Sequence, residues 1–138
     1  MFTTDLIRQI DVPLAIEFMG VSSYGTGVRQ SEGEVRITLD LNTSVTGKNI
    51  LIVEDIIDSG HTLSSVIEIL QTRNPKSVYI CTLLDKFERR EVDVPIRYCG
   101  FQIKNEFVFG YGLDMDEYYR NLPFVGTVNL DKYEPPHG

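Results

Sequence analysis

Between Ile50 and Thr62 the chain reads ILIVEDIIDSGHT, in which three carboxylates, Glu54, Asp55 and Asp58, follow an apolar run and precede a turn of small residues. Carboxylates are seldom buried without a partner, so a run that ends in them directs them at something. Hydroxyl groups, a hard divalent cation such as Mg²⁺, or a proton to be moved would each suit them. The turn itself suits a different group. Ser59 and Gly60 let the backbone approach a ligand closely, and the N–H groups that open the following helix make an anion cradle strengthened by the helix dipole. With the Ser59 and Thr62 hydroxyls as extra donors, a phosphate fits the turn. A phosphate repels carboxylates, so the two features must face different parts of one ligand, and a phosphorylated sugar carrying Mg²⁺ meets both demands.

The elements that must position these groups are legible on either side. Residues 50–53 (ILIV) and 78–84 (VYICTLL) are rich in β-branched residues and do not alternate, as expected of parallel strands covered on both faces. Between them TLSSVIEILQTR places Leu63, Val66, Ile67 and Leu70 at helical spacing, with Thr62 as the expected cap and Asn74-Pro75 as the stop. The three make a β-α-β unit, whose ligands belong beyond the carboxyl ends of its strands. Upstream, LAIEFMGVSSYG reads as a strand and VRITLDL as a hairpin arm within a long polar, Gly-rich connection at 25–49. Downstream, YCGFQIK and FVFGYGL read as short strands, and DEYYRNL as a helical or turn segment. Neither G-x-x-x-x-G-K-[ST] nor G-x-G-x-x-G occurs, which excludes a P-loop protein and an ordinary dinucleotide binder.

A chain of 138 residues, 42% hydrophobic and 24% charged, suits one soluble α/β domain spanning 1–138. No apolar run approaches the roughly 20 residues that cross a bilayer, and MFTTDLIRQI lacks the basic and apolar regions of a signal peptide, so no membrane partner and a cytoplasmic location are expected. Cys81 and Cys99 have neither metal-ligand nor redox spacing, and both are expected as core or near-core thiols. The formal charge of -7 argues against nucleic acid, and Lys86, Arg89 and Arg90 read as an ordinary charged loop.

Four stretches together resemble a known family: VEDIIDSGHT at 53–62, SSYG at 22–25, LLDK at 83–86, and FVFGYGLDMDEYYRNL at 107–122. The first resembles the phosphoribosyl pyrophosphate signature of the type I phosphoribosyltransferases, and the set resembles the hypoxanthine/guanine phosphoribosyltransferases over nearly the whole chain. That resemblance implies a mainly parallel sheet flanked by helices, a flexible loop or hairpin at 25–49 over the site, and purine salvage by transfer of phosphoribosyl from phosphoribosyl pyrophosphate to hypoxanthine or guanine, with xanthine left open as a third base, and with Mg²⁺.

It implies that Glu54 and Asp55 hold the ribose hydroxyls and Mg²⁺, that Asp58 handles the proton on purine N7, and that Ser59, Gly60, His61 and Thr62 cradle the 5-phosphate, chiefly through backbone amides. Lys86 would donate to the 6-oxo oxygen, Phe107 would stack on the base and the Val108 backbone would read its edge. Asp114 would bind Mg²⁺, Arg120 would contact pyrophosphate, and Ser23 and Tyr24 would sit at the root of the closing loop. The family begins with a strand and a Leu-Lys-Gly type pyrophosphate loop, whereas MFTTDLIRQI resembles the helix after that loop, so an amino-terminally shortened domain is expected. A homodimer or homotetramer is implied as well. Six residues apart, Asp114 and Arg120 do not share a helix face, so an ion pair between them is not expected. A non-catalytic regulatory module that binds phosphoribosyl pyrophosphate is the alternative reading.

Overall fold

The computed structural model describes residues 1–23, 35–129, 132 and 133. In chain order it holds α1 (Phe2–Ile7), β1 (Gly20–Ser23), β2 (Val35–Leu39), β3 (Asn49–Ile57), α2 (His61–Gln71), β4 (Ser77–Asp85), a 3-10 turn (Phe87–Arg89), β5 (Ile96–Gln102), β6 (Val108–Phe109) and β7 (Gly126–Thr127).

The two apolar runs pair with each other. β3 and β4 are parallel, in register from Asn49 opposite Ser77 to Ile57 opposite Asp85, and β5 adds in parallel on the far side of β4. α2 crosses between β3 and β4 and lays Leu63, Val66, Ile67 and Leu70 on the sheet, so the helical spacing of those four marks the buried face. Ile57, Leu63, Ile67, Ile80 and Val94 form the main core, backed by Ile52, Val78 and Ile96. Leu84, Val108 and Leu113 form a second cluster that seats the carboxyl-terminal segments against the strand ends.

Several local expectations are corrected. α2 is capped by Gly60 and not by Thr62, which lies exposed within the first helical turn. The reason is steric: Gly60 sits at φ 93°, and a Cβ there would lie 2.7 Å from the Val92 carbonyl oxygen. The upstream strand covers only Gly20–Ser23, antiparallel to β2, because β2 ends at Leu39 and Asp40 then turns away to pair with Arg73 through 2.7 and 3.0 Å hydrogen bonds. Cys81 is buried, but Cys99 is exposed on the outer strand β5. FVFGYGL contributes only the two-residue β6, paired with β7.

DEYYRNL is a turn and not a helix. Asp116, Glu117 and Tyr119 all take positive φ, which no α-helix accommodates. Tyr24 and residues 25–34 of the connection at 25–49 lie outside the described residues, while Val35–Leu39 forms the expected hairpin arm. Among the described residues no helix is long and apolar enough to cross a membrane.

Ile80 has no exposed surface and stands on the central strand of the core. Ile80→Ala is expected to lower unfolding free energy by about 3 kcal/mol, measured by urea denaturation, with an unchanged urea slope.

Candidate functional site

The register of β3 and β4 determines what meets at their carboxyl ends. Ile57 lies opposite Asp85, so Asp58 and Lys86, each the first residue beyond its strand, come side by side. The Lys86 N–H donates to the Ile57 carbonyl at 3.0 Å and extends the ladder to that point. The Lys86 ammonium then lies 3.9 Å from Asp58 Oδ2, with its side chain only 12% exposed, and Arg89 Nε lies 3.0 Å from Asp58 Oδ1. The carboxylate of Asp58 remains about half exposed, so a ligand can reach it.

Glu54 and Asp55 occupy the preceding positions of β3, both partly buried. Asp55 accepts a 2.8 Å hydrogen bond from the Ile56 N–H. Neither has a salt-bridge partner among the described residues. Burial, with the Asp55 charge adding to it, pushes the Glu54 carboxyl up to about 7 from its ordinary 4.5. Among the described residues no three His, Cys, Asp or Glu side chains gather as a cage for a metal. Glu54 and Asp55 could hold a hard divalent cation only with water or substrate oxygens as its other ligands.

The turn from β3 into α2 is held by the loop after β4. The Ser59 carbonyl accepts from the N–H groups of Glu91 and Val92 at 2.9 and 3.1 Å. His61, at the first position of α2, places Nε2 2.9 Å from Glu91 Oε2. The left-handed Gly60 releases the first N–H groups of the eleven-residue helix toward the turn, next to the Ser59 side chain and the exposed Thr62.

On the other side, Phe107 is exposed and Val108 is buried where β6 joins β7, with the Val128 N–H donating to the Phe107 carbonyl at 3.2 Å. Asp114 and Arg120 do form an ion pair, at 2.9 Å, against the expectation from spacing. The helix rule does not apply because this segment is a folded-back turn in which Arg120 Nη1 also donates to the Gly112 carbonyl at 2.9 Å. The structure thus groups Glu54, Asp55, Asp58, Ser59, Gly60, His61, Thr62 and Lys86 around the carboxyl ends of β3 and β4. Phe107, Val108, Asp114 and Arg120 belong to the segment packed beside them through the Leu84, Val108 and Leu113 cluster. Ser23 closes β1.

Two residues escape sequence reasoning. Asp85, buried at the end of β4, pairs with Arg90, and Arg90 Nη1 also donates to the Asp58 carbonyl at 3.0 Å. The signal was an aspartate closing an apolar run five residues before an arginine.

The chain is similar to known proteins across this whole region. The family model described as phosphoribosyl transferase domain matches residues 1–116. The hypoxanthine phosphoribosyltransferase of Haemophilus influenzae is 54% identical over 132 residues, which cover 96% of this chain and 73% of that protein. The hypoxanthine-guanine phosphoribosyltransferase of Staphylococcus epidermidis is 51% identical over 133 residues, 96% of this chain and 74% of that one. A crystal structure of a hypoxanthine phosphoribosyltransferase from Staphylococcus aureus superposes with a TM-score of 0.89 at 50% identity, covering 97% of this chain and 72% of the other.

Because Glu54 binds its proton more tightly in the folded chain, the folded state holds the extra proton between about pH 4.5 and about pH 7. Unfolding free energy therefore falls as pH rises through that window. Glu54→Gln is expected to remove this fall, on the order of 2 kcal/mol, when urea unfolding of the unliganded chain is compared at about pH 5 and about pH 8. An equal pH slope in both proteins would contradict the buried, unpaired state of Glu54.

Proposed function

The chain belongs to the hypoxanthine phosphoribosyltransferase family of phosphoribosyl transferase domains, and we propose on that premise that it is a purine-salvage enzyme. It transfers the 5-phosphoribosyl group from phosphoribosyl pyrophosphate to hypoxanthine or guanine, giving the nucleotide and pyrophosphate. Residues 1–138 act as one domain in this reading.

One observation carries the choice of base. The 6-oxo oxygen and N7 lie next to each other on one edge of a 6-oxopurine. Asp58 and Lys86 offer an acceptor and a donor 3.9 Å apart, a pair that matches N7–H and O6 together. Adenine carries a 6-amino donor in that place and would meet the Lys86 ammonium with no acceptor. Lys86 is mostly buried, so the mismatch would not be repaired by water. Phe107 stacks on the base face and the Val108 backbone reads its far edge, consistent with an exposed ring beside a buried, strand-fixed neighbour.

Ser59, Gly60, His61 and Thr62 cradle the 5-phosphate at the start of α2, and Glu54 and Asp55 accept from the ribose 2- and 3-hydroxyls. Glu54, Asp55 and, on the pyrophosphate side, Asp114 would hold Mg²⁺, which when bound supplies positive charge against the departing pyrophosphate. Arg120 has N–H groups beyond those that face Asp114, Glu117 and Gly112 and turns them to the pyrophosphate oxygens. As the bond to pyrophosphate lengthens, positive charge grows on the sugar ring near Glu54 and Asp55, and the base nitrogen N9 closes on C1. Asp58 takes or steers the N7 proton as the base changes charge. The enzyme works in the cytoplasm as a homodimer or homotetramer, for which exposed Phe18, Tyr98 and Phe101 offer apolar surface.

The test is a spectrophotometric assay with hypoxanthine, guanine, xanthine and adenine in turn, each with phosphoribosyl pyrophosphate and Mg²⁺. Turnover of 6-oxopurines and not of adenine is expected. Asp58→Asn should lower kcat by about 100-fold or more with little change in the KM for phosphoribosyl pyrophosphate, and Lys86→Met should lower kcat/KM for hypoxanthine by about 100-fold. Binding of phosphoribosyl pyrophosphate with no turnover of any base would instead support a regulatory module.

A further inference from the structure

We propose that Arg90 is a positioning residue for base chemistry: its partly buried guanidinium ties the β3 exit to the β4 exit and so sets where Asp58 stands relative to Lys86. This rests on the roles given to Asp58 and Lys86 above.

Arg90 follows the 3-10 turn after β4. Its side chain is only 17% exposed and returns under the site to pair with the Asp85 carboxylate, itself 9% exposed. The same guanidinium donates through Nη1 to the backbone carbonyl of Asp58 at 3.0 Å. Its stem and Nη1 also fill the space where a Gly60 Cβ would stand, at 3.3 Å from Cδ and 3.2 Å from Nη1. Three segments converge on one planar fork: the end of β3, the start of α2 and the end of β4. Asp85 is in turn fixed by the ladder, since its carbonyl accepts from the Ile103 N–H at 2.9 Å and the next residue, Lys86, donates to Ile57.

The consequence lies in the backbone of Asp58. Its carboxylate is half exposed and is met by the Lys86 ammonium only at 3.9 Å and by a half-exposed Arg89 at 3.0 Å, so side-chain contacts alone define its place loosely. The carbonyl held by Arg90, whose guanidinium is anchored on the Asp85 carboxylate, is the backbone restraint on the same residue. Lysine cannot replace it, because a point charge can satisfy Asp85 or the Asp58 carbonyl but lacks the fork that reaches both. The hydrogen-bonding groups of Arg90 are directed at Asp85 and the Asp58 carbonyl, so Arg90 acts through Asp58. A misplacement of about 1 Å at such a group costs on the order of 100-fold in rate.

The experiment is a double-mutant cycle between Arg90→Met and Asp58→Asn, with Arg90→Lys and Arg73→Met as companions, each checked by circular dichroism and Tm. Arg73 pairs with Asp40 away from the site and serves as a control for loss of a surface arginine pair. In the wild-type background Arg90→Met is expected to lower kcat on the order of 100-fold while the KM for phosphoribosyl pyrophosphate stays within about 3-fold. In the Asp58→Asn background the same change should cost less than about 3-fold, because the group it positions is already gone. Arg90→Lys should recover Tm and not kcat. Equal fold-losses in both backgrounds, or recovery of kcat by lysine, would overturn the proposal.

A readout independent of turnover accompanies it. The carboxyl ¹³C resonance of Asp58, assigned by its absence in Asp58→Asn, is expected to move in folded Arg90→Met and Arg90→Lys and to stay in place in Arg73→Met. An unmoved resonance would overturn the proposal even in a protein with no transferase activity, whereas a moved resonance without turnover would fault the proposed reaction alone.

Discussion

The parallel pairing of β3 with β4, in the one register that sets Ile57 against Asp85, is the constraint on which the site depends. A slip of one residue would turn every β3 side chain to the other face and carry Asp58 away from Lys86. The register is held from the core side, where Ile57, Ile80, Leu63 and Ile67 interlock beneath the sheet. It is held again at the site end, where the ladder runs on into Lys86 and Arg90 spans the gap between the strands. Packing energy spent far from the ligand thus defines distances between groups that would contact it.

Electrostatically the site works against the chain as a whole. A protein of net charge -7 has no long-range attraction for a ligand with several phosphate groups. Anion binding is therefore left to short-range devices: the helix start at Gly60, and arginine forks such as Arg120. The acidic end of β3 is kept tolerable by a partly neutral Glu54, whose raised pKa defers full charge until a cation or hydroxyl donors arrive. A ligand that stabilises the charged form of Glu54 would also raise the stability of the folded chain.

Much of this was legible in the chain alone. ILIVEDIIDSGHT gave a strand, an acidic end and a phosphate-suited turn because those features are local, and α2 was visible because its apolar spacing is periodic. Lys86 by itself read as part of an ordinary charged loop, and only the resemblance carried by LLDK gave it a place at the site. What could not be read were contacts made across sequence by loops. Gly60 as the cap depends on Val92, the Asp114–Arg120 pair depends on a run of left-handed residues, and the Arg90 bridge depends on the β3–β4 register itself. Cys99 misled because its segment reads as a core strand, whereas β5 stands on the outside of the sheet.

The most direct test of the central claim is a crystal structure of the chain with hypoxanthine, a non-reactive phosphoribosyl pyrophosphate analogue and Mg²⁺. The account predicts the base between Phe107 and the strand ends, with Lys86 Nζ and the Asp58 carboxylate each about 2.7–3.2 Å from O6 and N7. A base seated elsewhere, with Asp58 still paired to Arg89 and Lys86 making no contact with it, would contradict the account.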